Sequence, residues 1–281
     1  MRTPLLVLTA LVAFAANSVL CRAALDPARA AIDPASFTAL RLISGAAFLG
    51  LLVILRGGGL SLRRASPVSA AALFAYAAPF SFAYVALDAG LGALILFGAV
   101  QTGMFAGALL GGERPGAARW AGAAAGMAGL AWIALPGAEA PPLLPSLLMV
   151  VAGFAWAVFS LRGRGSAAPL EDMARAFALC VPAAALLAVF GAPESATGAG
   201  IALALASGAL ASGAGYAVWY AVLPKLEASL AAVAQLGVPL IALGGGVAFL
   251  GEPVSPRFWI AAALILGGVG AATLVPARRR A

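Results

Sequence analysis

Few residues of this sequence could carry chemistry inside a membrane, and those few are polar or aromatic rather than acidic. The ten acidic residues all fall near the ends of predicted helices or in loops. An enzyme would need an activated nucleophile, an acid/base pair or a metal cluster beside its substrate. The chain has no His, and Cys21 and Cys180 fall in different apolar segments. We therefore predict a protein that is not an enzyme and that needs no cofactor and no metal.

Several polar side chains fall near the middle of apolar segments. An amide that faces lipid without a partner costs on the order of a few kcal/mol, so each should face a cavity or another helix. They either contact a bound solute or form hydrogen bonds between helices, worth about 1 kcal/mol each. The candidate binding residues of this kind are Asn17, Ser18, Gln101 and Gln235.

Aromatic residues recur at helical spacing in two parts of the chain. Tyr76, Phe80 and Tyr84 stand at i, i+4 and i+8, which places them on one face of a helix. The aromatic residues that we predict to line a solute cavity are Tyr76, Phe80, Tyr84, Trp156, Tyr216, Trp219 and Tyr220. The alternatives are membrane-interface positions for Tyr84, Trp219 and Tyr220, and lipid-facing bulk for Phe80.

Arg41 is the one charge well inside a predicted span, about two turns from its start. We expect it to extend its guanidinium to the outer interface. The alternatives are that it holds a substrate carboxylate or that it hydrogen-bonds a neighbouring helix. Pro79 and Pro239 fall near the centres of other spans, where a missing N–H frees the carbonyl four residues earlier. Broken helices of this kind line cavities in many carriers.

The elements that must position these residues follow from composition. Hydrophobic residues make up 63% of the 281 residues and charged residues 10%, and the mean hydropathy is +1.04, far outside the range of soluble chains. A span needs about 20 apolar residues, and only helices fit the pattern, so we predict an all-α polytopic membrane protein with ten transmembrane helices. The predicted segments are 4–24, 35–55, 67–87, 90–111, 116–136, 143–161, 173–190, 198–223, 228–250 and 257–276.

The distribution of cations predicts the orientation of these helices. Of the 17 Lys and Arg residues, 13 fall at the segment ends of one side, and the other side has only Arg22, Arg29 and Arg257. The side rich in cations is the cytoplasmic one. Both termini should therefore be cytoplasmic, and the net charge of +7 reports topology rather than nucleic-acid binding. The expected partners are a small-molecule substrate and the lipid bilayer, with no obligate protein partner evident.

The two halves of the chain repeat one pattern. Residues 112–120 read GERPGAARW and residues 251–259 read GEPVSPRFW, so a Gly-Glu pair and a Trp recur 139 residues apart, with an early Pro after each Gly-Glu pair. We divide the chain into two five-helix units, 1–138 and 139–281. Because five is odd, the second unit must enter the membrane the opposite way, which makes the pair an inverted repeat.

These features resemble the drug/metabolite transporter superfamily in its EamA-type branch. The resemblance rests on the ten spans, the duplicated Gly-Glu motifs, and Tyr84 and Tyr220 near the ends of the third and eighth spans. Within that branch the chain is most similar to YddG-type exporters of aromatic and other neutral amino acids. The resemblance implies a bacterial inner-membrane exporter that works by alternating access.

Two alternatives to this function stay open at the level of sequence. The carried solute could be a sugar, a nucleotide sugar or a drug, or the protein could be a channel or a scaffold that transports nothing. A proton-coupled carrier needs a titratable group within the membrane. Because Asp88, Glu113 and Glu252 all lie at predicted helix ends, we expect facilitated rather than proton-driven transport.

Overall fold

The structure, a computed structural model, describes residues 2–26, 28, 31–134, 141–192 and 196–254. It also describes residues 256, 259–261, 263, 264, 267 and 268. The described part of the chain contains helices and turns but no β-strand. The predicted tenth segment, 257–276, lies largely outside the described residues, although those described between 256 and 268 are helical.

Nine helical segments precede that region. They are α1 (Arg2–Leu25), α2 (Pro34–Leu55), α3 (Pro67–Ala83), α4 (Ala89–Leu110), α5 (Ala117–Ala134), α6 (Leu143–Arg164), α7 (Pro169–Val189), α8 (Gly198–Lys225) and α9 (Ala228–Leu250). In the described part of the chain, seven helices are long and apolar enough to cross a membrane, namely α1, α2, α4, α6, α7, α8 and α9. The chain is therefore an all-helical, multi-pass membrane protein, as the composition predicts. α3 is a shorter apolar helix.

The predicted start of the seventh helix is wrong, and the difference changes the position of a cation. The sequence places the start of the seventh helix at residue 173, but α7 begins at Pro169. Proline fits the first turn of a helix because its missing N–H has no partner there, and Glu171 and Asp172 suit the positive end of the helix dipole. Arg175 consequently lies inside the helix, so Arg41 is not the only cation within a span.

Two helices depart from regular geometry where polar residues occur. α8 contains a π-helical stretch, Ser207–Ala214, and α9 is interrupted by a turn at residues 236 and 237 before it resumes at Val238. Pro239 explains the second case, since it cannot donate to the carbonyl of Gln235. The predicted break in this helix is confirmed. α3 and α7, in contrast, continue through Pro79 and Pro182.

The core forms between the first five helices and the later ones. α2 packs against α7, α3 against α6, and α4 against both α6 and α9, while α1 packs along α8 and α9. Gly208 permits the close approach of α8 to α2, because a Cβ at this position would overlap the carbonyl oxygen of Arg41. Side chains of both parts of the chain therefore meet at the centre.

Two corners with the same design tie α4 to α9. Gly112 and Gly251 end these helices in the left-handed conformation, with φ of 80° and 66°. Glu113, which follows α4, accepts a hydrogen bond from the Ala228 N–H at 3.0 Å, at the start of α9. Glu252, which follows α9, accepts one from the Ala89 N–H at 3.0 Å, at the start of α4. Each glutamate thus caps the helix whose own end carries the other glutamate.

An arginine completes each corner. Arg119 contacts Glu113 at 3.3 Å and also pairs with Glu227. Arg22 lies 3.7 Å from Glu252 and 3.8 Å from Asp88. We call these two groups the Glu113 corner and the Glu252 corner.

Candidate functional site

A buried arginine is the centre of a polar network that joins four helices. Arg41 of α2 is 1% exposed, so the expectation that it extends to the membrane interface is wrong. Its Nη2 donates to the hydroxyls of Tyr76 at 2.9 Å and Tyr216 at 2.7 Å, and its Nε donates to the Ser212 hydroxyl at 3.0 Å. Reaching the interface would give up these three bonds, and a buried guanidinium needs them.

The network continues to α1 through Asn17. The hydroxyls of Ser207 and Ser212 donate to its side-chain oxygen at 2.7 and 3.1 Å, and both serines lie in the π-helical stretch of α8. The side-chain nitrogen of Asn17 lies 3.4 Å from the Tyr216 hydroxyl. Asn17 therefore acts as the hydrogen-bonded link between α1 and α8.

The two tyrosines that bond Arg41 come from distant places in the chain. Tyr76 and Tyr216 stand 140 residues apart, close to the spacing of the Gly-Glu motifs. The Tyr216 hydroxyl donates to the Tyr76 hydroxyl at 2.9 Å. Both rings are buried.

Aromatic rings surround a small closed cavity next to this network. The residues that line it are Phe14, Tyr76, Phe80, Leu96, Phe97, Trp156 and Tyr216. The rings of Trp156 and Tyr216 lie 4.6 Å apart between centroids, and those of Trp156 and Tyr76 lie 5.0 Å apart. The cavity measures about 10 Å³, room for about one water molecule. A solute could enter only if the helices around it moved apart.

A second polar contact joins the cavity lining to α9. The Trp156 ring N–H donates to the Gln235 side-chain oxygen at 2.8 Å. Gln235 is the last residue of α9 before its break, and its amide nitrogen lies 3.0 Å from the Met104 sulfur. The first part of α9 therefore ends at the residue whose side-chain amide bonds Trp156 of the cavity lining.

The remaining predicted residues are buried but lie outside the lining of the cavity. Tyr84 packs on Phe80 and donates to the Ala89 carbonyl at 3.2 Å, while Tyr220 packs on Phe159 and donates to its carbonyl at 2.9 Å. The interface positions considered for Tyr84, Trp219 and Tyr220, and the lipid-facing position for Phe80, are wrong, since these side chains are at most 3% exposed.

Gln101 and Ser18 are buried away from the cavity wall. Neither end of the Gln101 amide has a hydrogen-bond partner in the described part of the chain. The structure therefore brings Asn17, Arg41, Tyr76, Phe80, Trp156, Tyr216 and Gln235 together and leaves these two apart from them.

Sequence reasoning missed Phe14 and Ser207. The Phe14 ring contacts those of Trp156, Tyr216 and Trp219 with centroids 5.2 to 5.6 Å apart. It lies one turn before Asn17 on α1, so helical spacing from Asn17 could have identified it. No sequence signal identified Ser207, which bonds Asn17 across 190 residues of the chain and begins the π-helical stretch of α8.

A polar vestibule lies on the side where the sequence places the cytoplasm. It measures about 300 Å³, and its lining includes Arg64, Arg162, Ser66, Ser69, Asp172 and Tyr220. Arg162 donates to the hydroxyls of Ser66 and Ser69 at 3.0 and 3.1 Å. Tyr220 belongs to this lining and packs on Phe159, whose ring lies 5.6 Å from that of Trp156. The vestibule and the closed cavity are therefore separated by these aromatic side chains.

Comparison with known proteins relates the second half of the chain to a family of membrane transporters. Residues 143–274 match the model of the EamA-like transporter family. An uncharacterised protein of Pseudomonas aeruginosa, PA1977, is 50% identical over 281 residues, which cover 100% of this chain and 97% of that protein. A crystal structure of a protein with 24% sequence identity has a TM-score of 0.76 and matches 98% of both chains, which shows a common fold.

Proposed function

Because the chain contains an EamA-like transporter domain, of the drug/metabolite transporter superfamily, we propose that the whole chain is a transporter of this family and exports small metabolites across the bacterial inner membrane. The leading substrate class is neutral or aromatic amino acids. The transport cycle is alternating access between two inverted five-helix halves, 1–138 and 139–281. Both termini lie in the cytoplasm.

The observation that carries this proposal is the closed cavity at the centre of the helices. Its wall combines aromatic rings with buried polar groups, and it is built from both parts of the chain: Phe14, Tyr76 and Phe80 precede residue 138, and Trp156 and Tyr216 follow it. Buried polar groups can also join helices, but a charged group between them that has no partner of opposite charge favours a binding site over a scaffold. A solute bound between two halves could be exposed to either side as they rock.

The two corners support the inverted arrangement. Glu113 and Glu252 stand 139 residues apart, as do the capped residues Ala89 and Ala228. Each glutamate caps a helix of the other half. Such reciprocal contacts are expected when two copies of one unit face each other about an axis in the membrane plane.

The acidic residues support facilitated transport. Glu113 and Glu252 follow the ends of α4 and α9 and are held by backbone N–H groups and arginines. Asp172 lies in the first turn of α7, and Asp88 precedes α4. The guanidinium of Arg41 stays charged at any physiological pH and cannot carry protons. We expect an imposed pH difference not to drive accumulation in liposomes.

Counterflow in proteoliposomes tests the proposal. Proteoliposomes that contain the purified protein are loaded with an unlabelled solute, and entry of the same solute in labelled form is measured. The panel of solutes consists of amino acids, sugars and organic cations. A carrier gives a transient overshoot for its substrate, whereas a channel gives none. No flux for any solute would overturn the proposal.

Variants at the cavity wall test its place in transport. We expect Tyr76→Ala, Trp156→Ala and Gln235→Ala to reduce counterflow about 5- to 150-fold, since each loses a contact worth about 1–3 kcal/mol. Phe154→Ala is the matched control, because Phe154 is an aromatic residue of the same helix as Trp156 but is 45% exposed on its outer surface. Normal transport by all three wall variants would show that the solute binds elsewhere.

A further inference from the structure

We propose that Arg41 is the anchor for the carboxylate of the transported solute, and that the solute binds as a monoanion. The chemical class is a small carboxylate with an apolar or aromatic group and no ammonium group. This inference rests on the proposed transport function, but it replaces amino acids as the leading substrate class with carboxylates that carry no ammonium group.

The charge balance of the network requires an anion. Arg41 is 1% exposed, and every group that it bonds is neutral. Within the described part of the chain it forms no ion pair, whereas Arg22, Arg119 and Arg175 each lie within 4 Å of a carboxylate. An isolated buried charge is very unfavourable, and an anion beside it would remove most of that penalty.

The hydrogen bonds lead to the same conclusion. A guanidinium has five N–H groups. The Nε and Nη2 groups are used, but Nη1 is buried and has no acceptor among the described residues. The pair Tyr76 and Tyr216 has two hydroxyl protons but only one hydrogen bond between them. The network therefore has surplus donors and lacks an acceptor, and a carboxylate supplies acceptors with the geometry that a guanidinium favours.

The location of Arg41 fits this role. Its central carbon lies 5.1 Å from the centroid of the Tyr76 ring and 4.7 Å from that of the Phe80 ring. Both rings also line the closed cavity. A carboxylate bonded to Nη1 would thus have its apolar part among the aromatic rings. Arg64 and Arg162 in the vestibule would attract the same anion from the cytoplasm.

Among the described residues no carboxylate lies within 4 Å of the Arg41 guanidinium, and this distinguishes a monoanion from an amino acid as the solute. A zwitterion would bring its ammonium group into the dry aromatic cavity beside Arg41, and the site would keep its net positive charge. A monoanion neutralises the site instead. We therefore expect the carboxylate to bind more tightly than the matching amino acid, and the matching amine not to bind.

The charge of the solute also provides a source of energy. One charge moved across 100 mV is worth about 2.3 kcal/mol, which corresponds to roughly a 50-fold concentration ratio. The inner membrane is negative on the cytoplasmic side, so the potential drives an anion outwards. Export would then need no proton coupling.

Three probes that differ in one group test the inference. Phenyllactate is a monoanion, phenylalanine replaces its hydroxyl with an ammonium group, and phenethylamine lacks the carboxylate. Proteoliposomes preloaded with each probe are given an inside-negative potassium diffusion potential with valinomycin. Protein-free liposomes correct for leakage of the probes. We expect phenyllactate to leave fastest, with a distribution that follows the imposed potential, phenylalanine to leave more slowly, and phenethylamine to stay.

Variants of Arg41 complete the test. Arg41→Gln should reduce phenyllactate efflux at least about tenfold, and Arg41→Lys should restore part of it, because Lys keeps the charge but loses the planar fork. Transport of phenylalanine without phenyllactate, or of phenethylamine as fast as either, would overturn the inference while leaving the proposed export of amino acids intact. Unchanged phenyllactate efflux in Arg41→Gln would also overturn it.

A binding measurement keeps the two proposals separable. Phenyllactate should quench part of the tryptophan fluorescence of the wild-type protein in detergent, because Trp156 lines the cavity, but it should not do so in Arg41→Gln. If no probe and no other solute is transported, the proposed function fails, and quenching still decides whether Arg41 binds a carboxylate. Equal quenching in both proteins would contradict the inference.

Discussion

Arg41 and Arg175 are two buried cations in similar positions, but within the described residues only Arg175 has a carboxylate beside it. Each lies about two turns after the proline that begins its helix, in α2 and α7 respectively. Arg175 donates to the carboxylate of Asp172, three residues earlier, at 2.7 Å. The residue three before Arg41 is Thr38, whose hydroxyl donates to the carbonyl of Pro34 at 2.7 Å instead.

The difference shows how the chain treats a cation that serves only structure. Asp172 neutralises the charge of Arg175 and is itself held by the Ser166 hydroxyl at 2.7 Å. The Arg175 Nε, like the Arg41 Nη1, has no hydrogen-bond partner among the described residues, so the two arginines differ in charge balance. Arg41 has neutral partners that hold it in place and leave its charge uncompensated. A charge that the fold stabilises but does not neutralise is available to a ligand.

The largest expected effect separates the two arginines by transport. Arg41→Gln should reduce transport of the substrate about 10- to 100-fold, since a charged hydrogen bond is worth about 1.5–3 kcal/mol. Arg175→Gln should change it by less than about threefold, because Arg175 pairs with Asp172 rather than with the cavity. Initial rates in proteoliposomes, corrected for the amount of inserted protein, measure both. Equal losses in the two variants would remove the distinction.

A second prediction tests the comparison by giving Arg41 the partner that Arg175 has. Thr38→Asp places a carboxylate three residues before Arg41, where it would pair with the guanidinium and compete with the solute. We expect carboxylate transport to fall about tenfold, with most of the loss in apparent affinity. Thr38→Asn has nearly the same shape without the charge and should retain transport to a greater degree. If the two variants behave alike, the effect is steric.

The sequence predicts the helices well because lipid enforces long apolar segments and leaves charges at their ends. The start of α9 at Ala228 and its break near Pro239 follow directly from the residues. The role of Arg41 could not be predicted in this way. Its acceptors Tyr76 and Tyr216 lie 35 and 175 residues away, and only tertiary packing brings them to it.

The cavity wall shows the same limit. Helical spacing identified Tyr76 and Phe80 as one face, but it could not show that Tyr84, on that face, would pack beyond the cavity. The π-helical stretch of α8, which orients Ser207 and Ser212, has no signature that we recognised in the residues. The closed state of the cavity follows from packing between helices distant in sequence.

A third prediction concerns stability, where we expect substitution of Arg175 to have a larger effect than substitution of Arg41. Arg175→Gln leaves the Asp172 carboxylate without its cation, and we expect a loss of about 1–2 kcal/mol, or several degrees in the unfolding midpoint. Arg41→Gln removes an uncompensated buried charge, and we expect its midpoint to be equal to or above that of the wild type. Unfolding followed by a thiol-reactive dye at Cys21 and Cys180, which are buried, measures both. A midpoint for Arg41→Gln below that for Arg175→Gln would contradict the view that Arg41 is held at a cost to the fold.

The smallest expected effect is a pH-dependent change in stability at Glu252, one of the two carboxylates beside Arg22, which loses its charge when it is protonated. Burial raises the pKa of Glu252 above its usual value, and the charge of Asp88 adds to the rise, while the Ala89 N–H and Arg22 oppose it. The folded protein therefore takes up this proton at a higher pH than the unfolded chain does, so this group makes the fold more stable as pH falls from neutral towards about 4.5.

Glu252→Gln should remove that contribution. Asp33 acts in the opposite direction: burial would raise its pKa, but hydrogen bonds from Ser36, Ala192 and Ala35 lower it overall, so its stabilising effect is lost in acid. The difference between wild type and Glu252→Gln isolates Glu252 from this background. We expect the unfolding midpoint of wild type, relative to the variant, to rise as pH falls from 7 to 5. A difference that is constant with pH, or that changes with the opposite sign, would show that Glu252 keeps an ordinary pKa in the folded protein.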